Sequence, residues 1–478
     1  MSLLELPPEL LHRICGYCEV AGIKSVRCTS NLLAAIGAEY LLSEVEVFFV
    51  RESLDRMMQI AHSPGVAKGL RTLCFQADRL PILACRSDWE GKRDRSDFER
   101  ETIAATPTSV EIRTLKSTPR GERLLNRRLV KAVETERKLD VKGRISAAYH
   151  LYETLLRDES RLETDGTARE SLRTLFKASP RLDSIIFTVA NELRHTTTTN
   201  VDSFNATLTH PFGDRDNQTW CIHQLQATLC AAYDANLDLA SLAVATISYR
   251  FFDLPPDVAD QVYRVASRLR NLRIDFNWCY DNDTDEMDDT ELTGLLRDVK
   301  DQRLVHFFAS ASQLHRLKIG GPYADRGALK LPLIDTVGDT IWPRLRTLHL
   351  EHFECTQEDL AHLMSRHART LECVQLGEMT MKEGNWNDFF ESIAGKLPVL
   401  RKVLLEGQFL CLTGSGVEFD FGDVVNGDID PFTGLMQDYV VDGGTMPDPT
   451  TADEAWDSMT ETDEVDGEEE ADSEDDLF

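Results

Sequence analysis

Leu345-Arg346-Thr347-Leu348-His349-Leu350, followed by Thr356-Gln357-Glu358-Asp359-Leu360 and closed by Leu371, is the stretch whose reading decides the fold. Leu348 and Leu350 stand two apart, as on one face of a strand, and Leu345 anchors the turn before it. Thr356 offers a hydroxyl cap with the Asp359 carboxylate three residues on, so a helix is expected to start there. Leu360, Leu363 and Met364 form its inward stripe, while Arg366, His367 and Arg369 bring cations to its carboxyl end. Leu371 then begins the next strand. The unit is strand, cap, helix, strand.

The same apolar-x-x-apolar-x-apolar pattern stands at Leu70-Leu73-Phe75, Leu182-Ile185-Phe187, Leu239-Leu242-Val244 and Leu269-Leu272-Ile274. It continues at Leu314-Leu317-Ile319, Leu371-Val374-Leu376 and Leu400-Val403-Leu405, and the last four copies start 31, 26 and 29 residues apart. One such unit cannot bury its own apolar face, so stacking on neighbours is obligatory. A relaxed leucine pattern also matches by accident, and one or two of the first three copies would be discarded before the last four. These segments resemble irregular leucine-rich repeats, which implies an α/β fold of curved solenoid form. That family's buried asparagine stands at Asn277, whereas Phe353 and Met379 hold the equivalent places, so those turns must be satisfied differently.

Ahead of the array runs Leu6-Pro7-Pro8-Glu9-Leu10-Leu11-His12-Arg13-Ile14-Cys15-Gly16-Tyr17. Proline suits a first helical position, and Glu9 suits the first turn of a helix dipole. Leu10, Leu11, Ile14, Tyr17 and Cys18 fall on one broad stripe. Gly16 and Gly22 are expected to allow a turn, after which Ile23 to Arg27 and Leu32 to Leu41 supply two further short helices. Three short helices bury little core and are marginal without a partner. Together with Val26-Arg27, Leu33 and Tyr40-Leu41, this pattern resembles an F-box of the kind found at the amino terminus of many fungal proteins. The resemblance implies docking onto a Skp-family adaptor and its cullin scaffold, with Leu6, Pro7, Leu10, Ile14 and Val26 facing the adaptor.

The organisation expected from these readings is an F-box at 1–45 and a leucine-rich-repeat-like substrate-binding domain at 46–410. A polar insertion, 86–145, is expected to be surface loop with one helix near Leu124 to Val133. The stretch from His195 to Asn217 reads as a second loop. Phe409, Leu412, Phe419, Phe421, Ile429, Phe432 and Tyr439 are expected to fold over the last repeat as a cap, 411–446. Residues 447–478, almost all acidic or small, are expected to be a disordered tail.

The formal charge of the 478 residues is −29, and the 76 residues after Lys402 hold 23 acids with no lysine or arginine. The remainder is therefore near −6, an ordinary balance that disfavours nucleic acid or an anionic membrane as the main partner. No apolar run approaches the roughly 20 residues of a membrane span, and the start lacks a signal-peptide pattern. Eleven cysteines without framework spacing read as reduced thiols, hence a cytoplasmic and/or nuclear chain. In that compartment the glycosylation acceptors at Asn205 and Asn217 carry no meaning.

Chemistry is scarce. Cys15 and Cys18 have the spacing of a redox or zinc pair but lie inside an apolar helix, where cysteine is a small hydrophobe. Asp281 to Asp285 opens like a calcium loop and fails at Glu286 and Leu292. No phosphate loop, His-Glu-x-x-His or Gly-x-Ser-x-Gly occurs. A non-catalytic substrate receptor of a ubiquitin ligase, without cofactor or metal, is the function expected. The alternative is a non-degradative adaptor-binding scaffold. An unknown protein substrate is expected on strand positions that point away from the core: Asn271, Arg273, Arg316, Lys318, Thr347, His349, Gln375 and Lys402.

Overall fold

The computed structural model describes residues 3–92, 130, 144–189, 206–207, 209, 218–276, 301–321, 330–412, 418–421 and 431–448. It is a mixed α/β structure built on a large parallel sheet, and it divides into two compact units, Met1–Ser312 and Gln313–Phe478. Asn277, the acidic stretch at 281–285 and residues 449–478 lie outside the described residues.

The first unit opens with α1 (Pro8–Tyr17), α2 (Val20–Arg27) and α3 (Asn31–Ala38). Pro8 stands in the first turn of α1, and Ser30 caps α3 by accepting from the Leu33 amide at 3.2 Å. Gly16 and Gly22 lie inside α1 and α2 rather than between them. The turn is made instead at Cys18 and Glu19, both in extended conformation. Leu11, Cys15, Leu33 and Ile36 form a small core of their own, closed by Leu6, Val26 and Tyr40. The expected single stripe on α1 therefore splits. Leu11 turns inward, while Leu10, Ile14 and Tyr17, at helical spacing, face outward. α3 is anchored to later segments of the first unit. A Cβ on Gly69 would lie 2.0 Å from the Glu39 carbonyl oxygen, and the Glu39 carboxylate meets Arg181 at 3.1 Å.

Five strands come next: β1 (Glu44–Phe48), β2 (Thr72–Gln76), β3 (Ser184–Thr188), β4 (Ser241–Ile247) and β5 (Asn271–Phe276). Each pairs in parallel with the next in chain order. The register sets Leu73, Ile185, Leu242 and Leu272 in one row and Phe75, Phe187, Val244 and Ile274 in another, all buried. Leu70, Leu182, Leu239 and Leu269 are buried just before their strands. None of the first three copies is an accident. A match that looks weak in one segment is fixed by the neighbour whose row it completes. The helices α4 (Arg51–Ala61), α8 (Thr167–Ala178), α9 (Gln218–Asp234), α10 (Pro256–Ala266) and α11 (Arg303–Ser310) return the chain and pack on one another in the same order.

Between α4 and α8 the unit carries α5 (Pro64–Ala67), α6 (Arg86–Lys92) and α7 (Arg144–Thr164). The expected surface loops at 86–145 and 195–217 are corrected at their described residues. Trp89 of α6 is fully buried against Tyr152 of α7 and donates from Nε1 to Thr209 Oγ1 at 2.8 Å. Tyr152 Oη donates to the Pro81 carbonyl at 2.6 Å. Val130, the only described residue of the helix expected near 124–133, is helical and exposed.

In the second unit β6 (Arg316–Gly320), β8 (Thr347–Glu351), β10 (Cys373–Gly377) and β12 (Lys402–Glu406) are parallel. Leu317-Leu348-Val374-Val403 and Ile319-Leu350-Leu376-Leu405 form their buried rows. A second sheet interleaves, made of β7 (Leu331–Pro332), β9 (Phe353–Thr356), β11 (Thr380–Glu383) and β13 (Gln408–Cys411), and it ends on the antiparallel β14 (Phe419–Asp420). The chain passes from one sheet to the other through one residue at positive φ: His352 (60°), Glu378 (51°) and Gly407 (68°). This is how the turns lacking asparagine are satisfied. His352 N donates to Gly377 O, Glu378 N to Glu406 O and Leu410 N to Met379 O, while Phe353 and Met379 fill the core.

Helices α12 (Leu333–Val337), α13 (Gln357–Arg366), α14 (Trp386–Ile393) and α15 (Pro431–Asp442) stack in chain order. The cap expected at Thr356 is present, accepting from Asp359 N at 3.1 Å. His367, expected as a cation for the helix dipole, is buried instead. Its Nε2 accepts from Trp342 N at 3.0 Å, so the proton sits on Nδ1 and is donated to Leu363 O, and burial pushes its pKa down. Phe409, Phe419, Phe421, Phe432 and Tyr439 are buried around α14 and α15, with Phe409 4.8 Å from Phe421 between ring centres. Leu412, expected among them, is exposed. A Cβ at Gly407 would need a left-handed backbone and would lie 2.2 Å from Glu378 Oε1. Gly407→Ala is therefore expected to destabilise the fold by about 1–2 kcal/mol, read as a lower urea midpoint at unchanged slope.

Candidate functional site

Two surfaces present groups that the fold itself does not consume. The first lies on α1 to α3. Leu10 (45% exposed), Ile14 (37%) and Tyr17 (81%) succeed one another at intervals of four and three along α1. Leu3 and Leu4 before that helix, Val20 at the start of α2 and Leu32 on α3 are exposed as well. Single exposed apolar residues are ordinary, but a stripe that faces water beside a completed core is the mark of a surface to be covered. Of the five residues expected to face a partner, Pro7, Leu10 and Ile14 are exposed. Leu6 and Val26 are half-buried against the module's own core, so they support the surface more than they form it. Leu3, Leu4, Val20 and Leu32, exposed as well, were not among the expected contact residues. Spacing could not separate the outward stripe from the inward one, because Leu11, Cys15 and Cys18 stand at the same i, i+4, i+7 intervals as Leu10, Ile14 and Tyr17.

Burial also fixes the chemistry of this module. Cys15 is packed among Leu11, Leu33 and Ile36, and desolvation pushes its thiol pKa up, which disfavours the thiolate that redox or metal chemistry needs. Among the described residues no group of three His, Cys, Asp or Glu side chains gathers as a metal set.

The second surface is the strand face opposite the buried rows. In the second unit the register aligns Arg316, Thr347, Cys373 and Lys402 in one line, and Lys318, His349, Gln375 and Leu404 in the next. Six of the eight expected contact residues are thus brought together on four adjacent strands. Asn271 and Arg273 belong to β5 in the first unit, in register with Ser241 and Ala243. Sequence reasoning missed the two acids that close the strands, Glu351 and Glu406. Lys318 Nζ donates to Glu351 Oε2 at 3.0 Å, His349 Nε2 lies 3.5 Å from the same oxygen, and Gln375 Nε2 donates to Glu406 Oε2 at 3.0 Å. Arg273 is likewise tied to Asp275, at 2.6 Å. An acid directly after the last apolar residue of the repeat, as in Leu350-Glu351 and Leu405-Glu406, was the signal in the sequence. Within this line the middle of the face is neutralised from inside, and its exposed cations are Arg316 and Lys402.

No protein-family model matches this chain, and no curated protein matches it. Among the described residues no helix is long and apolar enough to cross a membrane.

His349 and the ammonium of Lys318 hold the Glu351 carboxyl down at about 2, against the opposing effect of burial. A carboxylate depressed in the folded state adds stability above its ordinary value near 4.5, and that stability is lost as pH falls from there towards 2. Replacing Lys318 by methionine removes the ammonium. Glu351 is then expected to titrate closer to 4.5, followed by carboxyl carbon NMR, and the acid unfolding transition to move to higher pH.

Proposed function

We propose that this chain is a substrate-receptor subunit of a Skp-cullin-F-box ubiquitin ligase. Its amino-terminal helices are an F-box, and the strand-helix units after them are an irregular leucine-rich-repeat array. The observation that carries this reading is the outward stripe Leu10, Ile14 and Tyr17 on a three-helix module whose own core is already closed by Leu11, Cys15, Leu33 and Ile36. A module of this size needs a second surface to cover what it leaves wet. In-register strands offering Arg316, Lys318, Thr347, His349, Gln375 and Lys402 on one face supply a platform for a protein target.

The mechanism is proximity. Residues 1–45 hold the adaptor, and through it the cullin scaffold, while 46–410 hold the target. Target lysines then meet activated ubiquitin at a raised effective concentration, and the chain itself makes and breaks no bond. No cofactor enters, and the working compartment is the cytoplasm, the nucleus or both.

Titrating a purified Skp-family adaptor into the full chain by calorimetry tests the first contact. The paired substitution Leu10→Ser with Ile14→Asp is expected to weaken binding about 100-fold or more, as for removal of a central apolar anchor. Both side chains are outside the core, so the melting temperature should hold. Equal affinity of the two proteins sinks the adaptor reading. If the adaptor binds but proteins captured on the strand face keep the same lifetime when residues 1–42 are removed, the chain is a scaffold rather than a degradative receptor.

A further inference from the structure

At the edge where the strands of the second unit begin, the backbone builds a file of polar and charged residues. His315 O accepts from Arg346 N, Arg346 O from Glu372 N, and Glu372 O from Arg401 N, each at 2.8–2.9 Å. These hydrogen bonds hold the four residues one strand spacing apart, so the file covers roughly 15 Å. Just inside it the register line carries Arg316 at one end and Lys402 at the other. A cavity of about 440 Å³ opens on this edge, walled by His315, Arg344, Arg346, Arg369, Glu372 and Val399 among others. Among the described residues that wall the cavity, Glu372 is the one acid, and it contacts Arg346 at 3.6 Å. Arg344 and Arg369 are exposed and make no ion pair or side-chain hydrogen bond among the described residues.

The last described helix is tied to a loop that leads towards this edge. Gly395 N donates to Val440 O at 3.1 Å, and a Cβ on Gly395 would lie 3.2 Å from Gly443 Cα. The carboxyl end of α15 is thereby pinned to the loop that leads into β12, four residues before Val399 of the cavity wall. Beyond Asp448 the sequence continues for 30 residues, 449–478, with fourteen Asp and Glu and no Lys, Arg or His. Thirty residues reach at most about 100 Å, far more than the file requires.

We propose that residues 449–478 dock on this basic edge of their own molecule, with carboxylates seated against Arg344, Arg346 and Arg369. The edge is thereby occupied until a competing acidic protein segment displaces them. Charge complementarity selects the occupant, and tethering beside the site gives it an effective concentration on the order of millimolar, so weak individual contacts suffice. Exposed charges of this kind are screened by salt, so the docking must weaken as ionic strength rises. The inference goes beyond the ligase reading and does not depend on it.

The test uses the full chain, a chain ending at Asp448, and a full chain with the acids of 461–476 changed to their amides. A fluorescent synthetic peptide of residues 449–478 is the probe. It should bind the shortened chain and the amide variant at least about tenfold more tightly than the intact chain. That binding should weaken at least about tenfold between about 0.05 and about 0.5 M salt. Arg344→Glu with Arg369→Glu in the shortened chain should abolish the binding at an unchanged melting temperature. Equal peptide binding to the intact and shortened chains overturns the proposal, as does binding indifferent to those two substitutions. So does a dimer of the intact chain that dissolves on removing 449–478, because the segment would then occupy a second copy.

Discussion

The structure depends on one constraint: a strand-helix unit of this size cannot bury its own apolar face. Each unit offers two apolar side chains on a strand of five to seven residues and a helix with a narrow inward stripe. Alone, that leaves the apolar face in water, where each fully buried leucine would otherwise contribute about 1.5–3 kcal/mol. The solution repeated along the chain is parallel pairing with the next unit. Leu317, Leu348, Val374 and Val403 meet in one row, and Ile319, Leu350, Leu376 and Leu405 in another. Register is then enforced by burial, because a one-residue slip would turn both rows to solvent.

Stacking creates a second obligation at the far end, where the last unit has no successor among the described residues. Phe409, Phe419, Phe421 and Phe432 answer it by closing over Trp386 and Phe390 of α14, with α15 laid across β12. The antiparallel β13–β14 pair occupies the edge of the interleaved sheet. The same constraint acts in reverse on α1 to α3, whose small core is complete but whose outer stripe has no successor within the described residues. That contrast separates an end sealed by its own chain from one whose outer stripe stays exposed among the described residues.

The strand face and the strand edge differ in a way that bears on recognition. On the face, Glu351 and Glu406 are provided by the repeat itself and hold Lys318, His349 and Gln375 in place. Such a face is pre-ordered and nearly neutral at its centre, so a partner would gain little from charge there. At the edge, Arg344 and Arg369 have no acidic partner among the described residues, and the field there is unbalanced. Charge left unpaired on a rigid edge costs little in water and favours an acidic partner through steering and complementarity.

Much of this was legible in the chain. The period-two leucines, the Thr356 cap, the inward stripe of α13 and the aromatic residues of the cap obey local rules of spacing and capping, and they stand where those rules put them. What failed did so where local rules underdetermine the outcome. Trp89 and Thr209 sit in stretches polar enough to read as loop, yet the indole and the hydroxyl find each other across 120 positions. His367 looked like a cation for a helix end, and only the Trp342 amide arriving from another segment makes it a neutral, buried acceptor. Leu10 and Leu11 are indistinguishable as letters, and which one faces water depends on where α3 packs. Sequence alone determined the repeating unit, its alternation of strand and helix, and the segregation of acid into the last 76 residues, because these are set by neighbours in the chain. Tertiary structure alone decided which apolar side chains remain exposed, which charges are internally paired and where the chain end emerges, because each depends on contacts between residues far apart in sequence.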